Sequence, residues 1–546
     1  MNENNKASFS ESNPENSKKY SGGHRISGKY RINKGDFLTA FRRGSLVIVS
    51  IMLQFAVLLI ASEMLLRHAL LLYLALELVG VIFAINIVYD SESYRYFWFV
   101  IILLNPVIGL FLYLFWGSRF VTSASRAKMK SSIDAAQTQI PEEKELLEVL
   151  DQTGNTQLAC ARYLTQERFP LFRNTSVRYY PLGDDMAEDM FADLRAAKER
   201  IWIEYFIVLG GEIWDEIEEI LKEKVKEGVD VRLLVDDVGS IRMLNRKFKR
   251  RMKECGIKLR VFAPIYKDLT KLSLNYRNHQ KALIVDRNIA YTGGINMSDE
   301  YFNLYPKYGH WKDTAVRLEG EAAASLEVMF VSVWNYSAGK HDTDYIPAES
   351  LSACPPCGEG LSNGGLVQPF FCGPLKDRHN NADMVYQSIM RHAKKYLYIT
   401  TPYLVLDRAM TDALIRAAKC GVDVRIYTPR HYDKWYVYRV TEGNYGKLLR
   451  EGIRIFEYVP GFIHAKNLVV DDECAICGSI NLDYRSFYFH YECATVFYGG
   501  ATIFDIKKDI LETEKICEEI LLEKWRKRPV HRKFVGRLLG FLAPLF

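Results

Sequence analysis

The sequence predicts an α/β protein built from two copies of one α/β unit, preceded by apolar N-terminal segments. Three observations carry that prediction. The pattern His-x-Lys-x4-Asp-x6-Gly-[Gly/Ser]-x-Asn occurs twice, from His279 to Asn296 and from His464 to Asn481, 185 residues apart. Gly-Val-Asp-Val-Arg occurs at 228–232 and again at 421–425, so the repeat extends beyond the polar motif. From about residue 176 onward, β-branched runs alternate with stretches of helical period, as in strand–helix units.

Taken in order, residues 1–43 are rich in Asn, Ser, Lys and Gly and predict a disordered tail, basic at Lys29, Arg31, Lys34, Arg42 and Arg43. Three apolar segments follow at 44–61, 69–89 and 96–116. Each has about the 20 residues that span a bilayer, so 44–117 is expected to hold two or three membrane helices. The first has no small-residue cleavage site and reads as an anchor. Glu77 in the second needs a neighbouring helix or a shallower seat. Asn105-Pro106 in the third predicts a kink. Tyr94, Tyr96, Trp98 and Trp116 suit the membrane interfaces. Both flanks of the apolar region are basic, the later one through Arg119, Arg126, Lys128 and Lys130. The positive-inside rule places both flanks in the cytoplasm, which three full spans forbid. Either one segment is re-entrant or one flank is overridden; a cytoplasmic catalytic part is the expected arrangement.

Residues 118–175 are polar and helix-prone, a connector. Within 176–340, residues 201–207 read as a strand, 212–226 as a helix ended by Gly228, and 229–235 as the next strand. Residues 341–366, with Pro, Ser, Cys and Gly, form a linker. Within 367–546 the same order returns: strand 396–400, helix 410–419, strand 421–425. The chain ends in a basic cluster (Arg526, Lys527, Arg528, Arg532, Lys533, Arg537) followed by Phe534, Leu538, Phe541 and other apolar residues. That tail either lies on an anionic leaflet or packs on the domain.

The 546 residues carry a net charge of +6, too mild to suggest a nucleic-acid groove. The ten cysteines include Cys354/Cys357 and Cys474/Cys477, without the four regularly spaced ligands of a zinc site. Cys474 and Cys477 read as packing residues. Cys354 and Cys357, in a loop, leave a disulfide or a weak metal site open.

His and Lys two apart on a strand share a face, so each motif presents an imidazole beside an ammonium. Phosphodiester chemistry needs a nucleophile, an acid for the leaving alkoxide and cations for the phosphoryl oxygens. One motif supplies one histidine; the pair supplies both roles without a metal.

The doubled motif resembles the phospholipase D superfamily. Its flanks, Asp299-Glu300-Tyr301 after the first copy and Leu482-Asp483-Tyr484-Arg485-Ser486-Phe487 after the second, together with the apolar N-terminus, resemble bacterial cardiolipin synthases. The resemblance covers about residue 96 to the C-terminus. It implies two tandem phospholipase D-like α/β/α domains related by pseudo-two-fold symmetry behind N-terminal transmembrane helices, meeting at one site. It further implies His279 as nucleophile forming a phosphohistidine and His464 as acid/base, with Lys281 and Lys466 on the non-bridging oxygens and Asn296 and Asn481 as neutral donors. Asp286 and Asp471 complete the catalytic signature in a structural or orienting role. Glu300 and Glu492 are candidates to bind the histidine nitrogen remote from phosphate, although they follow their Asn by four and eleven residues. Ser479 stands where the first copy has Gly294, so a hydroxyl contact comes from one half only, and His490 stands where the family often has Asn.

The implied reaction joins two phosphatidylglycerol molecules into cardiolipin and glycerol at a bacterial cell membrane, with no cofactor, no metal and no nucleic acid. A hydrolytic phospholipase D, or a phosphatidyltransferase with another head-group donor, is the alternative. An inactive membrane scaffold and a nuclease are weaker readings.

Overall fold

The computed structural model describes residues 52, 56, 73–82, 95–113 and most of 123–543. Within that last range, 141–144, 266–275, 340–343, 352–354, 357–364 and 375–380 are excepted. The chain separates into two units, Met1–Gln54 and Phe55–Phe546. Everything below concerns the second. The first apolar segment and Cys354/Cys357 lie outside the described residues, apart from Met52 and Ala56.

The third apolar segment is not one spanning helix over its described part. It forms α1 (Arg95–Leu104) and α2 (Pro106–Leu112), broken at the residue pair that predicted a kink. Asn105 takes an extended conformation and its side chain accepts from the Ile108 amide, which caps α2 in place of the lost helical bonds. Pro106 at the first turn lacks only a donor that would be unpaired anyway. The return is tight: a Cβ on Gly109 would lie 2.6 Å from the Ile101 carbonyl oxygen. Trp98 and Ile102 are buried, not lipid-facing. Among the described residues, no helix is long and apolar enough to cross a membrane.

The connector is helical, as expected. Its α3 (Ser123–Gln137) packs on α4 (Ala323–Ser337), where Lys128 Nζ donates to the Tyr336 and Ala338 carbonyls and Ser132 Oγ to that of Ser332. Helix α4 is buried from Ala323 to Asn335, and one apolar core joins it to residues of both halves, Trp202 and Ile284 on one side and Leu397 and Ile476 on the other.

Two sheets carry the rest. The first runs β1 (Thr175–Tyr180), β9 (Ala315–Gly320), β7 (Ile289–Gly293), β6 (Lys281–Val285), β2 (Arg200–Tyr205), β3 (Asp230–Asp236), β4 (Lys258–Phe262). The second runs β10 (Leu366–Cys372), β17 (His490–Tyr498), β16 (Cys474–Gly478), β15 (Asn467–Val470), β11 (Tyr396–Thr400), β12 (Asp423–Pro429), β13 (Arg454–Tyr458), β18 (Cys517–Glu519). Strand for strand, the first seven positions agree in order and in parallel or antiparallel sense. The repeated pentapeptide shows why. Gly228 and Gly421 both take φ of 91°, ending a helix before a parallel strand, and only glycine adopts that conformation at no cost.

The motif aspartates occupy equivalent turns. Asp286 and Arg287, like Asp471 and Asp472, have positive φ in the hairpins β6–β7 and β15–β16. The Asp286 carboxylate accepts from the amides of Lys198, Glu199 and Arg200, and that of Asp471 from Lys394, Lys395 and Tyr396. Strand β6 or β15 separates each from its histidine, so these residues pin the entry to the adjacent antiparallel strand, β2 or β11, a structural place in the signature and not one beside the reacting groups. Asp471→Ala is expected to strand three amides and cost about 3 kcal/mol, read as a lowered Tm with the catalytic histidines untouched.

Cys474 and Cys477 are free and buried, packing as expected.

Candidate active site

The two halves exchange strands where they meet. Short strand β5 (Arg277–Asn278), just ahead of His279, pairs in parallel with His490–Tyr491 at the start of β17. Strand β14 (Gly461–Ile463), just ahead of His464, pairs in parallel with β8 (His310–Lys312). The His279 amide donates to the Tyr491 carbonyl and the His464 amide to that of Lys312. In each case the strand of the opposite half runs on to a carboxylate. His279 Nδ1 lies 2.9 Å from Glu492 Oε2, and His464 Nδ1 lies 2.5 Å from Asp313 Oδ2. A carboxylate accepts, so Nδ1 of each ring donates to it and each Nε2 is left to face the site; Lys466 Nζ also lies 2.8 Å from His464 Nδ1.

This geometry assigns the two carboxylates differently from the sequence. Glu492 holds a histidine as expected, but the histidine of the other half. Glu300 does not: its carboxylate is engaged by Ser298 Oγ and lies 3.5 Å from Lys307 Nζ. The ring of the next residue, Tyr301, instead meets His464 edge-on at 5.4 Å. The missed residue is Asp313. Its signal was Gly294, where a Cβ would lie 2.0 Å from Asp313 Oδ1. In the second half the longer Glu492 leaves room for Ser479, whose hydroxyl donates to Glu492 Oε2 at 2.5 Å. The Gly/Ser difference thus answers the Asp/Glu difference, and Ser479 supports a carboxylate instead of a phosphate.

Lys281 and Lys466 are fully buried, their ammonium groups against the carbonyls of His279 and His464. Burial pushes Lys281 down to about 8 and, with Lys281 nearby, Lys466 down to about 7. Burial and the two ammonium groups hold His279 well below the usual imidazole range; burial and Lys466 bring His464 to about 4 despite Asp313. His279 feels Lys466 and His464 of the other half, which places both motifs in one electrostatic site. The buried lysines make such a site favour an anion. Affinity for an anionic phosphate is therefore expected to weaken as pH rises through about 7 and Lys466 loses its proton, read as a rising KM; the same lowered pKa makes this lysine favour the folded state as pH rises above about 7, so the weakening is not a loss of fold.

Buried polar atoms without a partner among the described residues gather here: Asn296 Nδ2, Asn481 Oδ1, Trp311 Nε1 and both ring nitrogens of His490. Asn296 Oδ1 accepts from the Ile207 amide, which leaves its NH2 end, near the Tyr301 hydroxyl, to donate. Among the described residues one group has metal-ligand spacing: His279, His490 and Glu492, with ligand atoms within 4.8 Å of one another. Lys281 and Lys466 oppose a cation there and favour an anion.

The description "Cardiolipin synthase, PLD-like domain" matches residues 190–334 and 386–512, and the description "Phospholipase_D-nuclease N-terminal" matches 78–118. The chain is 32% identical to cardiolipin synthase 1 of Bacillus anthracis over 86% of its own length and 92% of that protein. The chain belongs to the cardiolipin synthase family. Within that family it is also 31% identical to the major cardiolipin synthase of Bacillus subtilis (strain 168), over 86% of this chain and 97% of that one. An uncharacterized protein of Streptococcus mutans is 37% identical over 82% of this chain and 95% of its own length. Among solved structures, phosphatidylserine synthase of Haemophilus influenzae Rd KW20 covers 70% of this chain and 97% of its own, with a TM-score of 0.54 and 15% identity, a likeness of fold.

Proposed function

We propose that the protein is a phosphatidyltransferase that joins two phosphatidylglycerol molecules into cardiolipin and glycerol at one pseudo-two-fold site. The observation that carries the reading is the crossed pairing of His279 with Glu492 and His464 with Asp313 around two buried lysines. Family membership supplies the substrate class.

His279 Nε2 attacks phosphorus and the P–O bond to the head-group glycerol breaks. Once the lipid phosphate offsets the lysines, the proton affinity of His464 rises and its Nε2 takes up a proton from water; it gives that proton to the leaving oxygen. Lys281, Lys466, Asn296 and Asn481 meet the negative charge that builds on the non-bridging oxygens. The hydroxyl of a second phosphatidylglycerol then gives its proton to His464 and attacks phosphorus; the P–N bond breaks and His279 is restored. Glu492 and Asp313 keep each ring in one tautomer throughout.

A membrane seat follows from both ends of the chain. Helix α5 (Val530–Phe541) exposes Val530, Phe534, Leu538 and Phe541 along one stripe beside Arg532 and Arg537, and Phe541 meets Phe97 of α1 at 5.2 Å. Helix α1, ten residues and about 15 Å long, is half a bilayer core. With the third segment broken over its described part, 44–61 and 69–89 remain the stretches whose sequence has the length of a span, and two spans would satisfy the basic flanks on both sides of the apolar region.

The test is phosphatidylglycerol labelled in its phosphate, given to the purified protein in mixed micelles. Cardiolipin and free glycerol in equal amounts are expected; phosphatidic acid as the main product would replace the transferase reading with hydrolysis.

A further inference from the structure

We infer that His490 is an additional ligand of the lipid phosphate, donating a ring N–H to a non-bridging oxygen on the His279 side of the site. This deepens the transferase reading and rests on it.

The imidazole of His490 is 8% exposed, yet neither ring nitrogen has a hydrogen-bond partner among the described residues. A buried donor or acceptor left unpaired costs about 1–3 kcal/mol, so such a residue is tolerated where a ligand completes it. Its place is fixed: His490 pairs with Arg277 in the strand exchange, and its ring centroid lies 5.5 Å from that of His279, tilted by 38°.

No neighbouring group among the described residues lies within hydrogen-bond distance of it. Glu492 Oε2 is taken by His279 Nδ1 and Ser479 Oγ, and Oε1 accepts from Ser486 Oγ. His490 Nδ1 stands 3.6 Å from Oε1, beyond a hydrogen bond. Burial holds the ring at about 3 against the pull of Glu492, with Arg485 and His279 adding to the fall. His490 is therefore a neutral imidazole at working pH, with one N–H to give and no charge to lose. The cationic surroundings that disfavour a metal on His279, His490 and Glu492 favour a phosphate oxygen at the same place.

The experiment compares wild type, His490→Phe, which keeps a flat ring without a donor, and His490→Gln, which restores a donor. Binding of inorganic phosphate is followed by calorimetry, alongside KM and kcat for phosphatidylglycerol, Tm, and the metal content of the purified proteins. His490→Phe is expected to raise both the phosphate Kd and KM about tenfold with Tm kept, and His490→Gln to return both to within about threefold. Unchanged phosphate Kd in His490→Phe overturns the inference, as do equal losses in both variants with lowered Tm. Stoichiometric zinc in the wild type that His490→Phe loses, or no phosphate binding by the wild type, also overturns it. Phosphate binding is read without lipid turnover, so a failed cardiolipin assay is a separate result.

Discussion

His279→Ala is expected to abolish both cardiolipin formation and covalent labelling, whereas His464→Ala is expected to label and stall. Without His279 Nε2 there is no nitrogen to take the phosphatidyl group, and a loss of at least ~10⁴-fold follows from removing a nucleophile that acts as part of a unit. Without His464 the attack still has its nucleophile and its cations, but the leaving glycerol oxygen departs unprotonated and the acceptor hydroxyl has no base. General acid–base help is worth about 10²–10⁴-fold per step. The label therefore enters slowly, stays on the protein, and is lost with acid as expected for a P–N bond. Radiolabelled phosphatidylglycerol and a denaturing gel decide the matter. Label on His279→Ala and none on His464→Ala would exchange the two roles; full turnover by either variant would remove the covalent pathway.

The second large effect is expected at the crossed carboxylates. Glu492→Gln and Asp313→Asn keep the volume and lose the obligate acceptor that holds the proton on Nδ1 of His279 and His464. A wrong tautomer puts the proton where the lone pair is needed, and about 10³-fold in kcat is the expected price by analogy with other carboxylate–histidine pairs. The two variants fail differently. Glu492→Gln slows mainly entry of the label, since it disorients His279. Asp313→Asn slows both entry and release, since it disorients His464, the acid of the first step and the base of the second. Rapid-quench measurement of the labelled protein separates them; equal slowing of both steps in both variants would refute the division of labour.

The sequence made the histidines, lysines and asparagines legible because their spacing is set by one strand and one hairpin, which a local pattern records. It also made the duplication legible through Gly228-Val-Asp-Val-Arg and its copy. Asp313 escaped because its partner is fixed by strand pairing between halves. Asn296 and Asp313 are seventeen residues apart, Asn481 and Glu492 eleven, so no shared spacing links them. Glu300 misled because it follows the first Asn closely, whereas the turn Asp299–Phe302 sends Tyr301, not Glu300, toward His464. The apolar stretch 96–116 has the length of a span, and only Asn105-Pro106 told of the break.

The exchange of β5 and β14 across the junction means that neither half owns a complete reacting group. A lone half would carry an imidazole with nothing to orient it and a carboxylate with nothing to orient. Its smallest working form is a pair of such halves, and the present chain is that pair on a single thread. The two histidines can then drift apart in role, one to bond phosphorus and one to ferry protons, as two identical subunits could not.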